Sequence, residues 1–251
     1  MGRKKDGARP LLVALAFLLV VLAAIIISSQ RQGSALEDPG TDLSALYQSA
    51  VADAKAVAAY KIYPGLVAIT SSNDELVRDP AGRVLFVTWT SWAGYDGSAG
   101  SDVPLSREVW VTASPQLADY CKALPAGANR TLWLESLTGV PPGSGKTRFV
   151  EMYASERDVF RPCPDNEITD SACGLEFPSD ATAEYRAWFQ GLNASSYGAD
   201  GYPWTRLGYT YNWGFAGSRD YFSRVGLSEF VIRRGATVGV RSVSSLEQYC
   251  A

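Results

Sequence analysis

The chain has 251 residues, 47% of them hydrophobic and 20% charged, and it contains no histidine. That composition belongs to a folded chain and excludes disordered and collagen-like classes. The net charge of −3 is unevenly placed: Arg3, Lys4, Lys5 and Arg9 face only Asp6 at the start, so this segment is net +3 and the remainder net −6. A mildly acidic remainder argues against nucleic acid as a partner.

Residues 1–10 read as a short basic N-terminus on the cytoplasmic side. Leu11 to Ile27 is an unbroken apolar run, followed by Ser28 and Ser29. A helix over 11–29 rises roughly 28 Å, close to the hydrocarbon thickness of a bilayer. The basic residues before it orient the rest of the chain outward. The expectation is a retained single-pass anchor, with the lipid bilayer as partner through Leu11 to Ser29. A cleaved signal peptide is the competing reading; its apolar region is shorter, and only Gly33-Ser34-Ala35 follows as a weak cleavage site. The localisation expected is therefore the cell (inner) membrane, with the main domain on the outer or periplasmic side.

Residues 30–40 read as a linker and 41–251 as one extracytoplasmic domain. Thr41 or Asp42 can cap a helix reaching about Lys61, with Leu43, Leu46, Tyr47, Ala50, Ala54 and Val57 on one face. Leu66 to Thr70 suggests a short strand. Arg83 to Trp92 is apolar on both sides, as a central strand is. A Gly/Ser/Asp-rich loop covers Ala93 to Pro104, and Glu108 to Ala113 is a further strand. Ser114 is placed to cap a helix carrying Cys121, and Thr131 to Thr138 reads as a short helix. Arg148 to Ala154 is a strand, and Ser179 or Asp180 begins a helix through Leu192. Strands follow at about Thr205–Trp213, Leu227–Arg233 and Thr237–Val243. Without a regular βαβ rhythm, the fold class expected is α+β: one N-terminal transmembrane helix, then a domain with a mainly antiparallel sheet and several helices.

Four cysteines, Cys121, Cys163, Cys173 and Cys250, all lie beyond the apolar run. An even number outside the cytoplasm reads as disulfides. Three pairings are possible. Cys163 and Cys173 bracket a turn-rich loop and are paired on that ground, leaving Cys121 with Cys250 by elimination. The spacings do not suit zinc. The acidic run Asp165 to Asp170 offers oxygen ligands without a calcium-loop spacing, so no metal is expected.

Gly139-Val-Pro-Pro-Gly-Ser-Gly-Lys146-Thr147 resembles the phosphate-binding loop of AAA-type ATPases, which would imply a nucleotide. The motif needs glycine six residues before the lysine, and Val140 stands there. A strand, not a helix, follows it. No nucleotide and no other cofactor is expected despite the loop ending at Lys146.

The absence of histidine removes Ser-His-Asp and Cys-His catalysis and every His-ligated metal site. No lysine has a serine three residues before it, which removes the common Ser-Lys arrangement. Aromatic residues crowd the stretch from Gly198 to Phe222. Alternation puts Leu207, Tyr209, Tyr211 and Trp213 on a core face and Arg206, Thr210 and Asn212 on a wet one. Tyr202 and Trp204, beside Pro203, are then the candidates for exposed contacts, with Arg206 next to them. The function expected is a membrane-anchored envelope module that binds or scaffolds, with an envelope protein or glycan as partner. The alternative is a His-independent hydrolase that uses paired carboxylates, acting on glycan.

Overall fold

The computed structural model describes residues 34–251. The span expected at Leu11 to Ser29 lies outside these residues. Among the described residues, no helix is long and apolar enough to cross a membrane.

The fold is α+β, as its unphased sequence of elements implied. Strands β1 (Val84–Thr90), β2 (Asp102–Pro104), β3 (Val109–Ala113), β4 (Arg148–Ala154), β5 (Val159–Phe160), β6 (Tyr209–Tyr211), β7 (Val225–Ile232) and β8 (Thr237–Ser244) form one antiparallel sheet. Its order is β2-β8-β4-β1-β3-β7-β5, with β6 also paired to β7. Five α-helices join it: α1 (Leu43–Lys55), α2 (Gln116–Ala123), α3 (Arg130–Leu137), α4 (Ala183–Ser195) and α5 (Leu246–Tyr249).

β1 is central, as its two apolar faces required. Val84 and Phe86 pack with Val111, Met152, Phe230 and Val240 on one face, which loops cover through Ile69, Leu76 and Leu105. Val87 and Trp89 pack on the other face under α2, α3 and α5, through Leu117, Leu134 and Tyr249. Further along that helical face, α4 places Tyr185 and Trp188 over Phe160 and Val231. The helices over this face therefore sit in two groups, α2, α3 and α5 in one and α4 in the other, while α1 packs against Tyr211 and Trp213; the sheet between the two groups is left uncovered.

Local chemistry sets the helix ends. Asp42 accepts from the Ala45 N–H at 3.0 Å and starts α1. That helix stops at Lys55, short of the expected Lys61, and a 3₁₀ turn follows at Ala59–Lys61. Its Asp53 receives Lys61 Nζ at 2.9 Å, the Tyr211 hydroxyl at 2.8 Å and Arg224 at 3.0 Å, which ties α1 to β6. Ser114 does not cap α2; its hydroxyl donates to Glu151 at 3.1 Å, and Pro115 occupies the cap position. Thr182, not Ser179 or Asp180, caps α4.

Two expected strands are corrected. Leu66 to Thr70 forms no strand, because its amides bond singly to Ser171 and Ile168 carbonyls of the disulfide loop, at 2.9 and 2.7 Å. The stretch expected at Thr205–Trp213 contracts to β6. Arg206 and Gly208 take φ of 59° and 76°, outside the extended region. At Gly208 a Cβ would lie 2.6 Å from Arg161 Cδ, so no side chain fits there.

Both disulfides form as paired, Cys121–Cys250 and Cys163–Cys173, with Cα–Cα distances of 5.3 and 6.6 Å. They fit an oxidising, extracytoplasmic setting. The first binds the chain's end to α2, beside a stack in which Phe149 lies 5.2 Å from Trp89 and 4.3 Å from Tyr249. Its sequence separation is 129 against 10 for the second. In the chain-entropy account the two bonds contribute about 5 and about 3 kcal/mol. Replacing Cys121 and Cys250 together by serine is therefore expected to lower the unfolding free energy more than replacing Cys163 and Cys173, when both are measured by denaturant titration. The reverse order would count against this ranking.

Candidate functional site

The uncovered part of the helical face is a cleft. Alternation along β7 sends Leu227, Glu229 and Val231 to that face. Leu227 is taken by the α2–α3–α5 group and Val231 by α4. Glu229 falls in the gap between them, opposite Thr112 of β3 in the sheet register. Two cavities, of about 280 and about 410 Å³, share Trp110, Thr138, Val140, Lys146, Thr210 and Glu229 as walls. They are two lobes of one cleft, with Glu229 in the shared wall.

Glu229 is the least satisfied charged group in this cleft. As a residue it is only half-buried, yet its Oε2 is closed off from solvent and has no hydrogen-bond partner. Burial alone pushes its carboxyl up to about 8. Lys146 lines both lobes, donates to the Trp89 carbonyl at 3.0 Å, and is held below the ordinary lysine range by burial. The two form no ion pair; each shift has desolvation as its cause. Three further wall groups lack partners: Trp89 Nε1, Thr112 Oγ1 and Trp204 Nε1. Their residues are only 6–7% exposed. Four unpartnered polar atoms therefore lie along one aromatic-walled cleft.

The sequence-derived candidates divide. Tyr202 is exposed as expected, at 53%, and lines the larger lobe. Trp204 is a correction: it is 6% exposed, packed 5.0 Å from Phe189 and part of the cleft wall rather than an outward contact. Arg206 lies outside the cleft walls, with its guanidinium 5.3 Å from the Tyr197 ring centroid and bonded to the Lys55 carbonyl. Thr210 and Asn212, expected to be wet, are buried. The second face of β6 lies under α3, where Thr210 donates to the Leu137 carbonyl at 2.6 Å and Asn212 meets Ser136 at 2.5 Å. Leu207, Tyr209, Tyr211 and Trp213 are core as expected.

Glu229 escaped the sequence reading. Its signal was present: a carboxylate at the middle of Leu227, Glu229, Val231, on a strand whose other face is also apolar. Thr112 and Trp110 shared this face one strand away.

The ATPase-like loop has its amides occupied. Glu135 of α3, 2% exposed, accepts from the Gly143 N–H at 3.1 Å and the Ser144 N–H at 2.7 Å. The chain's own carboxylate thus sits where a phosphate would be cradled, and β4 follows the loop. Replacing Glu135 by alanine strips two amides of a charged acceptor and should destabilise by about 2–3 kcal/mol in denaturant titration. A loss below about 0.5 kcal/mol would show that the loop does not depend on this carboxylate. In the acidic loop, Asp170 is bound by the buried Arg161 at 2.6 Å, and Glu167 accepts from the Thr169 and Asp170 amides at 2.8 and 2.9 Å. Those carboxylates order their own turn. Among the described residues, no cluster of three or more His, Cys, Asp or Glu is placed to hold a metal.

Comparison with known proteins finds no matching family model, no matching curated protein and no matching solved structure.

The raised Glu229 carboxyl has a signed consequence. Between the ordinary glutamate value of 4.5 and about 8 the unfolded chain loses this proton while the folded chain keeps it. Stability from this group is fully present below the ordinary value and falls as pH rises, by up to about 1.4 kcal/mol per pH unit. Relative to Glu229→Gln, the natural protein should therefore melt at progressively lower temperature from about pH 5 to about pH 8. Parallel melting curves for the two proteins across this range would mean that Glu229 ionises as freely folded as unfolded.

Proposed function

We propose that this chain is a membrane-tethered module of the cell envelope whose outer domain binds a ligand in the Glu229 cleft. The observation that carries the reading is Glu229 Oε2, closed off from water and without a partner, between two helix groups that could have covered it. An unpaired buried carboxyl costs stability. A ligand that engages it offsets that cost, which is how binding sites come to conflict with folding. The tether is supported by the apolar run Leu11 to Ile27 behind four basic residues, and the outward location by the two disulfides.

The hydrolase alternative requires two facing carboxylates about 5–10 Å apart. The other carboxylate in the cleft wall is Glu108. It lies four residues before Thr112, which is opposite Glu229, so the two backbone positions are separated by roughly 14 Å along the strand. Glu108 also accepts from Trp188 Nε1 at 2.9 Å. A carboxylate already committed to the Trp188 indole favours binding over paired-carboxylate chemistry.

The test is a photoreactive phenylalanine analogue at Tyr202, on the cleft rim, with the same analogue at Tyr60 as control. Tyr60 is 66% exposed and lies on none of the cleft walls. Irradiation of intact cells should give a ligand adduct at 202 and none at 60. No adduct at 202 would overturn the cleft as the binding site.

A further inference from the structure

We infer that the occupant of the cleft is a saccharide chain, laid from Trp92 at one end across Glu229 to Tyr202 at the other. This rests on the cleft being the ligand site and adds what fills it. Trp92 lines only the smaller lobe and Tyr202 only the larger, and both rings are about half exposed, at 49% and 53%. Trp92 is held as a platform. Its ring meets Tyr95 edge-on at 4.8 Å, and the Arg107 guanidinium lies 5.8 Å from its centroid. An exposed aromatic ring in each of two joined lobes suits the C–H faces of pyranose rings, which are apolar and flat.

The walls of the two lobes set the polar requirement, with Glu229 and Lys146 common to both. Two indole N–H groups, from Trp89 and Trp204, can only donate. The Thr112 hydroxyl and the Glu229 carboxyl can each donate or accept, and Lys146 has donors left after its bond to the Trp89 carbonyl. A hydroxyl-bearing ring, which accepts and donates around its whole edge, answers all of them. A purely apolar molecule would leave them unmet at a cost for each. An extended peptide would bind by adding a strand, but the cleft lies on a sheet face. β3 is paired by β1 and β7, and β7 by β3 on one side and by β5 and β6 on the other. Along β3 and β7 no strand edge is free for a peptide to pair with, and the edge strand that lines the smaller lobe, β2, has only three residues. The net negative charge of the outer domain disfavours nucleic acid.

The full-length protein in detergent is to be applied to a glycan array holding neutral and acidic hexose and N-acetylhexosamine chains of one to about six units. The best-bound chain is then measured by calorimetry beside its monosaccharide. Tetramer should bind more tightly than monomer. Trp92→Ala and Tyr202→Ala should each weaken the tetramer by about tenfold, with a far-ultraviolet circular dichroism spectrum and a cooperative melt that show the fold retained. Gly94→Ala is a second variant that keeps the indole. A Cβ there would lie 2.0 Å from Trp92 Cζ2 and displace the platform, so it should reproduce the Trp92→Ala loss. No glycan retained on the array, equal affinity for monomer and tetramer, or unaltered tetramer binding in the variants would overturn the saccharide. A non-sugar adduct at position 202 in cells, with an empty array, would remove the saccharide and leave the cleft reading standing. Absence of both would remove the two together.

Discussion

The two-residue period of β7 is the constraint on which the helical side of this molecule depends. β7 is paired on both sides, so its register cannot slip without turning every side chain to the opposite face. That register puts Phe230 and Ile232 into the loop-covered core and Leu227, Glu229 and Val231 under the helices. An apolar residue at 229 would have made one continuous helical interface. A carboxyl there cannot be sealed by α-helical side chains without a partner, and no partner is provided. The division of the helices into two groups and the cleft between them both follow the placement of that one residue.

A second set of contacts keeps the cleft's walls in place from behind. Glu135 of α3 holds the loop through Gly143 and Ser144, and that loop delivers Lys146. Trp213 Nε1 donates to the carbonyls of Glu135 and Val140, at 3.1 and 2.8 Å, and so clamps both ends of the same turn. Thr210 Oγ1 donates to the Leu137 carbonyl and accepts from the Leu227 amide at 2.8 Å, which joins α3, β6 and β7. Thr138, Val140, Lys146 and Thr210 are thereby positioned by buried hydrogen bonds rather than by exposed loops. A binding surface supported in this way undergoes little reordering when it engages a ligand.

Legibility from sequence followed periodicity. Arg148–Ala154 matches the expected strand to the residue, because Phe149 on one face and Val150, Met152 and Ala154 on the other are all buried. β1, β3, β7 and β8 were placed within about two residues for the same reason. The reading failed where tertiary partners set the backbone. Arg206 and Gly208 break the expected strand because Arg161 fills the space beside Gly208. β2 and β5, of three and two residues, are too short to carry a period. Of the cleft, the rim residue Tyr202 was legible through its neighbour Pro203. Glu229 was not singled out, since 25 acidic residues beyond the apolar run cannot be ranked until the register shows which one faces inward.

The glycine-rich loop shows how a motif and its chemistry come apart. Gly143 and Gly145, at φ of 72° and 68°, do turn the backbone so that successive amides converge, which is the physical content of a phosphate cradle. The anion that fills it is supplied by α3 of the same chain. Because Glu135 is almost fully buried, displacing it by an outside phosphate would leave a carboxylate in the interior without its two amide donors. The cradle therefore acts as a structural clamp. Its lysine is directed to the Trp89 carbonyl, where it is part of the wall that both lobes of the cleft share.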